Sequence, residues 1–361
     1  MARLSNLKIH QFRNLENTEW APLPGRQLLL GENGAGKTSL LEAIYALGTS
    51  RSFRSARLRR CCRYGKSGFF LGGSIEAGGA TRLSLGWSSA SGLRREVDGR
   101  EASAREFLEV LPVVCWWAGQ AAALTGEPRL RRRLLDQGIV GLNPAALAVR
   151  ERFRAALEAK REVVAAGRRA ELAAWNDLFA SSAQELVRLR AGYAARLAAC
   201  LEGVLEESAL DLPPIRIGYR PSPPEADGGG ESLRAVIESL AGEELESRRV
   251  LVGPQRDELE LEWAGESLRD GASAGEIKIF GLALTVARAL VLDAVGRTPV
   301  LLLDDADAEL DRERLECAWS MLPAGFQTVI SSNRPEAWQG LSKKAAWKLS
   351  KGRVEGPENE I

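Results

Sequence analysis

Residues 31–38, Gly-Glu-Asn-Gly-Ala-Gly-Lys-Thr, constrain this chain more than any other stretch. They match G-x-x-x-x-G-K-[ST], with Gly31, Gly36, Lys37 and Thr38 at the fixed positions and Glu32, Asn33, Gly34 and Ala35 between them. Residues 27–30 read as a short buried strand, and residues 39–47 (SLLEAIYAL) as the first turns of a helix. A strand, a glycine loop and a helix N-terminus together make an anion site. Backbone N–H groups converge there, and the helix dipole adds about half a positive charge. Gly34 and Gly36 are expected to let the chain wrap a phosphate where a Cβ would collide. Lys37 is expected to reach the β- and γ-phosphates of a nucleotide, and the Thr38 hydroxyl to ligate Mg²⁺. A chance glycine-rich turn would not bring the flanking strand and helix with it.

A length of 361 residues predicts about two domains with room for a proper core. No apolar run approaches the 18 or so residues of a membrane span, and the N-terminus alternates like a strand, without the apolar centre of a signal peptide. A cytoplasmic location is therefore expected. The 5 cysteines lack metal-ligand spacing and fit reduced thiols better than a disulfide framework. His10 is the single histidine, so a histidine-based triad or zinc site would have to be built on it alone. Net charge is +1, so nucleic-acid binding has to come from local patches.

Along the chain, residues 2–30 read as two strands joined by a turn at 22–25. Residues 51–66 hold seven basic residues and no acidic one, directly after the nucleotide helix. A solvated loop is one reading; a phosphate-facing surface carrying Arg51, Arg54 and Arg60 is the other. Residues 69–98 alternate apolar and polar between glycine turns, the pattern of an antiparallel meander. A short helix (101–109), an apolar strand (113–117) and a polar turn containing Gln120 follow. A second basic cluster, Arg129, Arg131, Arg132 and Arg133, then opens a helix. From 143 to about 208 the chain is rich in alanine, leucine, arginine and glutamate. The stripe Leu172, Trp175, Phe179, Leu186, Leu189, Tyr193, Leu197 has helical spacing, with a turn between two antiparallel helices at Gly167. Residues 211–230, with five prolines and a triple glycine at 228–230, read as a linker around one short strand, followed by a helix at 232–240 and strands at 250–252 and 258–263.

Residues 298–311, TPVLLLDDADAELD, supply the second motif. The apolar run 300–303 reads as a buried parallel strand that delivers Asp304 and Asp305 to its C-terminal end, where ligands sit in open α/β sheets. Asp304 is placed to hold Mg²⁺ together with Thr38, and Asp305 to orient an attacking water. Some 30 residues earlier, Gly271-Ala-Ser-Ala-Gly-Glu276 opens a long helix and makes another anion-binding turn.

Here the chain resembles the ABC-type ATPases, whose signature loop precedes the Mg²⁺ strand. The helical insertion between the two nucleotide motifs narrows the resemblance to the chromosome-maintenance and repair branch. Within it, NGAGKTSLLEAIY (33–45), RSFR (51–54), RRRLLD (131–136), LVGPQRDEL (251–259) and LLLDDADAELD (301–311) resemble the RecF family of bacterial recombination-repair proteins over essentially the full length. The resemblance implies an α/β fold. Its ABC-type P-loop ATPase head, a mixed sheet with an antiparallel meander, would comprise 1–135 and 245–361. The inserted α-helical lobe would be 136–210, and a Pro/Gly-rich linker with a short helix 211–244.

The resemblance also implies an ATP- and Mg²⁺-dependent homodimer that binds DNA at gaps and single-strand/duplex junctions and helps RecO and RecR load recombinase. Ser273, Gly275 and Glu276 would complete a partner's site in trans. Gln120 would serve as a Mg²⁺ or water ligand, as glutamine does in ABC proteins, and Arg131 would join Arg51, Arg54 and Arg60 on DNA. Three departures point to slow hydrolysis. Glu276 stands where the family signature has glutamine, and Ser331, Ser332 and Asn333 stand where many ABC ATPases place a histidine. Residues 116–120 replace the usual acidic-proline turn.

The alternatives explain less. A transporter subunit would be shorter and lack the helical insert, and a GTPase would carry Asn-Lys-x-Asp. A nucleotide-dependent scaffold with little turnover stays open because of Glu276.

Overall fold

The helix after the glycine loop, Lys37–Thr49, is apolar around nearly its whole circumference, so it has to be covered on every side. Two sheets cover it. Leu40, Leu41, Ile44 and Leu47 share one core with Leu7, Ile9, Leu71 and Leu85 from one sheet and with Leu29, Leu302 and Val329 from the other. Each such leucine or isoleucine contributes about 1.5–3 kcal/mol by leaving water.

The computed structural model describes residues 2–208, 212–224, 232–341 and 344–358. The chain divides into two compact units, one of Met1–Ala122, Cys200–Pro213 and Ala272–Ile361, the other of Ala123–Ala199 and Pro214–Gly271.

The first unit holds both sheets around the helix. One runs Leu15–Trp20, Arg3–Phe12, Gly68–Glu76, Ala80–Ser88, Gly92–Val97, Arg100–Glu101, every neighbour antiparallel. The other runs Arg353–Glu358, Lys344–Ser350, Arg26–Leu30, Thr328–Ser332, Val300–Leu303, Val113–Trp116, parallel except for its first pair. In this sheet Leu30 lies opposite Ser332, Ile330 opposite Leu303, and Leu303 opposite Trp116. The glycine loop and both acids of the second motif therefore leave the sheet at the same C-terminal edge. The expected α/β architecture with a mixed sheet and an antiparallel meander is what the chain forms. Among the described residues no helix is long and apolar enough to cross a membrane.

In the second unit, Ala146–Ala166 ends at Gly167 in the left-handed conformation, φ 68°, and Arg169–Glu206 follows. Phe153 packs on Phe179 with ring centroids 5.7 Å apart. Those residues are nearly equidistant from the turn, as an antiparallel pair requires. Leu172, Phe179, Leu186, Tyr193 and Leu197 of the stripe are buried, and Trp175 and Leu189 half-buried. Strands Ile215–Arg220, Glu258–Trp263 and Glu266–Ser267 form a small antiparallel sheet.

Four sequence expectations need correcting. Residues 2–30 hold three strands; Arg3–Phe12 and Leu15–Trp20 form a hairpin that no glycine marks, because Gln11 and Arg13 themselves take φ of 54°. Gln120 closes a turn with the Trp117 carbonyl at 2.8 Å, but that turn opens a short helix, Gly119–Thr125. Residues 250–252 form no strand and lead into the 3₁₀ turn Pro254–Arg256. The compact units also divide the chain differently from the expected 135/136 and 244/245 boundaries. Residues 123–135 and 245–271 belong to the second unit, where helix Pro128–Leu142 packs on strand Glu258–Trp263. The triple glycine at 228–230 lies outside the described residues.

Candidate nucleotide site

The glycine loop owes its shape to the protein as much as to any ligand. Gly34 and Gly36 take φ of 82° and 113°, a region L-residues avoid. Open space surrounds the place of a Cβ at Gly34, whereas at Gly36 it would meet Leu15 Cδ2 at 2.7 Å and at Gly31 the Leu349 carbonyl oxygen at 2.4 Å. At 31 and 36 a Cβ would thus collide within the fold itself. Asn14 Nδ2 donates to the Gly34 carbonyl at 2.9 Å, and Asn333 Nδ2 to Asn33 Oδ1 at 3.1 Å, so two side chains hold the loop. Glu32, Asn33 and Gly34 are exposed at its tip.

Lys37 and Thr38 open the helix below this loop. Lys37 is buried and curls back, its Nζ donating to the carbonyls of Gly31 at 2.6 Å and Glu32 at 3.0 Å. Burial lowers its pKa, against the fields of Asp305, Asp304 and Asp307. Thr38 Oγ1 donates to Asp304 Oδ1 at 2.9 Å, joining residues 266 apart in sequence. Ser331 Oγ donates to the same oxygen at 2.7 Å and accepts from the Asp305 N–H at 2.9 Å. Asp304 is buried and, among the described residues, has no cation within 4 Å; burial raises its pKa, partly offset by the two hydroxyls. A buried carboxylate flanked by hydroxyls is a hard-oxygen donor set that suits Mg²⁺. No group of three or more acidic, histidine or cysteine side chains among the described residues could hold a metal alone.

Two residues unremarked in the sequence shape the rest. Asp305 sits at φ 49°, its N–H held by Ser331 and its carbonyl by Lys278 Nζ at 2.8 Å. Lys278 also donates to the Ala308 carbonyl, and burial lowers its pKa. Ser332 Oγ donates to Asp307 Oδ2 at 2.9 Å, and burial raises the Asp307 pKa. The available signal for Lys278 was a lone lysine in an otherwise apolar run, 277–286.

Ser273 and Glu276 cap the helix Ala274–Asp293 in a capping box. Glu276 Oε2 accepts from the Ser273 N–H at 2.8 Å and from Ser273 Oγ at 2.6 Å. The Ser273 hydroxyl is therefore engaged locally, whereas the resemblance implied that it would complete a partner's site in trans. Gly275 adjoins Arg314, whose Nη1 would lie 3.1 Å from a Cβ there. Gln120 is fully buried. With its amide turned to satisfy both ends, it donates to the Cys115 carbonyl at 2.9 Å and accepts from Arg288 at 3.2 Å. That commitment within the core argues against the expected metal-ligand role.

The two basic clusters differ. Arg131 is largely buried in the second unit, paired with Glu258 at 2.7 Å and donating to the Leu124 and Gly126 carbonyls. These contacts already occupy its guanidinium, which argues against the expected DNA contact. Arg51, Arg54, Arg57, Arg59 and Arg60 are exposed. Arg54 lies 3.8 Å from Glu42, a fully buried carboxylate that Arg13 grips through two bonds, and its field reaches Asp304.

Several proteins share this organisation. The protein called DNA replication and repair protein RecF from Anaeromyxobacter sp. (strain Fw109-5) is 33% identical over 317 residues, 86% of each chain. Its namesake from Pseudomonas fluorescens (strain SBW25) is 30% identical over 362 residues, 97% of each chain. Among solved structures, the recombination mediator protein RecF with ATP in the RecFOR pathway superposes with a TM-score of 0.85 at 22% identity, covering 98% of this chain and 97% of that one. The Smc head domain from Pyrococcus furiosus follows at 0.55 and 14%, covering 98% and 96%. At such identities these likenesses speak to fold alone. No protein-family model matches the chain.

Proposed function

The chain belongs to the RecF family of DNA replication and repair proteins, and from that premise we propose an ATP-gated DNA-binding protein. It acts at single-strand gaps and single-strand/duplex junctions, pairs with a second copy of itself when ATP is bound, and works with RecO and RecR to load recombinase. The observation that carries the nucleotide part is the meeting of Thr38 and Asp304 beneath a glycine loop, with Lys37 beside them. Thr38 and Asp304 would hold Mg²⁺, which when bound neutralises charge on the β- and γ-phosphates. Lys37 exchanges its two loop carbonyls for phosphate oxygens, and Asp305, clamped at both its N–H and its carbonyl, orients the attacking water.

The capping box bears on the partner site. For Ser273 to reach a partner's γ-phosphate, its hydroxyl has to leave Glu276, whose carboxylate also repels the incoming charge. Pairing is therefore weak without DNA and turnover slow, and the same observation favours a second reading, a nucleotide-dependent scaffold that barely hydrolyses ATP. Sizing by analytical ultracentrifugation tests this. A dimer is expected with ATP, strengthened by gapped DNA and by Glu276→Gln, and absent with ADP, without nucleotide, or in Ser273→Arg. Equal dimerisation in all nucleotide states would overturn the gating. An ATPase assay with and without DNA separates the two readings.

DNA contact should come from the first basic cluster and not from Arg131, whose guanidinium is already paired. With about five phosphate contacts, log K falls with log salt at a slope near −4.5. Arg59→Glu and Arg60→Glu should each flatten that slope by about 1 and weaken every sequence alike. Arg131→Gln should leave it unchanged, and an Arg131→Gln slope that falls like the others would return that residue to the DNA surface.

A further inference from the structure

Tyr64 is the most exposed large hydrophobic side chain among the described residues, at 101% of its reference area. A lone surface tyrosine needs no explanation by itself; its setting does. It stands on a turn closed by the Lys66 N–H to Arg63 carbonyl bond at 3.0 Å, with Gly65 at φ 75°. That turn is bolted to the first strand. The Arg13 N–H donates to the Cys61 carbonyl at 2.7 Å, and the Arg63 N–H to the Gln11 carbonyl at 2.8 Å. Cys61 is fully buried, Cys62 bridges to Phe12, and Arg13 Nη1 donates to the Arg60 carbonyl at 2.9 Å. Arg63 turns back toward Glu16 at 3.4 Å, and the next residue, Tyr64, faces solvent.

Every charged residue of the segment that carries it, 51–66, is basic. Arg57, Arg59, Arg60 and Lys66 are exposed, and among the described residues none has a carboxylate within 4 Å. Elsewhere exposed arginines such as Arg152, Arg220 and Arg234 are paired. An exposed aromatic ring on a held turn, in a segment with unpaired cations, suits a ligand with a flat π-face and a phosphate backbone.

We infer that Tyr64 is a stacking platform for an unpaired nucleobase, with Arg59, Arg60 and Lys66 on the adjoining phosphates. The inference rests on the DNA-binding reading and narrows it. Bases inside a duplex are stacked on one another and offer no free face, so the occupant is a nucleotide of a gap or overhang beside the duplex. Because the turn is held before binding, little ordering entropy opposes the stack. Every base has a π-face, so the contact is indifferent to sequence.

The test uses the full-length protein with a gapped duplex carrying 2-aminopurine in the gap, and a fully paired duplex of equal length. Tyr64→Ala is expected to weaken binding to gapped DNA by about 5- to 150-fold. It should abolish the change in aminopurine emission and leave duplex binding within about twofold, since phosphate contacts are untouched. Tyr64→Phe, which keeps the ring, should retain both gapped-DNA binding and the emission change. Equal loss on both DNAs, or no loss on either, overturns the stacking inference while leaving DNA binding standing. A wild-type protein that binds neither DNA at low salt overturns the DNA reading itself and the stacking with it.

Discussion

Asp304→Asn is expected to weaken Mg²⁺-dependent ATP binding by more than about 100-fold while leaving the fold intact or slightly more stable. Loss of even an outer partner of a bound metal costs 10–100-fold, and Asp304 would be a direct or water-bridged ligand. The stability half follows from its setting. Asp304 is buried, lacks a cationic partner within 4 Å among the described residues, and has its pKa raised by burial. An acid whose folded pKa is raised is least favourable where it is ionised, so at neutral pH the buried charge opposes folding. Asparagine keeps one carbonyl oxygen for the Thr38 and Ser331 hydroxyls and removes that charge. Calorimetric titration with ATP, with and without Mg²⁺, together with thermal melting, checks both halves. Unchanged Mg²⁺ dependence would take Asp304 out of the metal site, and a large loss of stability would mean its charge is compensated.

The opposite balance is expected at Asp257, the aspartate of the LVGPQRDEL stretch. Asp257 is fully buried in the second unit. Its carboxylate accepts from Arg190 Nη1 at 2.8 Å, Tyr219 OH at 2.5 Å and the Ser222 N–H at 3.0 Å, and its carbonyl from Arg132 at 2.7 Å. Arg190, also buried, reaches Asp136 at 2.8 Å and the Pro254 carbonyl at 2.7 Å. Burial, followed by the charge of Asp257, raises the Tyr219 pKa. Asp257→Ala leaves a buried guanidinium half-compensated and should cost the second unit about 3–5 kcal/mol. Tyr219→Phe, which removes one hydroxyl, should cost about 1 kcal/mol. Hydrogen exchange over Ile215–Arg220, Glu258–Trp263 and Arg169–Glu206 reads this locally, which avoids treating two units as one transition. Protection unchanged in Asp257→Ala would show that the network is dispensable.

That network also shows where reading the chain stopped short. LVGPQRDEL and RRRLLD marked family membership, yet nothing in either says that Asp257, Arg132, Asp136 and Arg190 converge. Arg190 sits in a helix whose charges look like a solvated surface, and only packing decides that it points inward.

The residues of the nucleotide site were legible because their chemistry depends on short-range order. A loop eight residues long sets its own glycines, lysine and threonine, and a four-residue apolar strand sets where its following acids emerge. Gln120, Arg131 and Ser273 each make contacts that the sequence did not announce, for a common reason. Each is polar in a plausible place, and its fate turned on a partner that sequence does not name: Cys115 and Arg288, Glu258, and Glu276.

By itself, then, the sequence determined the anion-binding loop, the strand that carries Asp304 and Asp305, the buried helix between them in the core, and the helical stripe of the second unit. These follow from local spacing and hydrophobic period, which the backbone repeats impose wherever the pattern occurs. Only the tertiary structure decided which arginines of the two basic clusters are left facing water. Arg131 and Arg132 met acceptors at Glu258 and Asp257, about 125 residues away, whereas Arg57, Arg59, Arg60, Lys66 and Arg133 met no carboxylate among the described residues. The charge of a side chain is written in the sequence, but whether that charge is already neutralised depends on what the fold brings within a few ångströms of it.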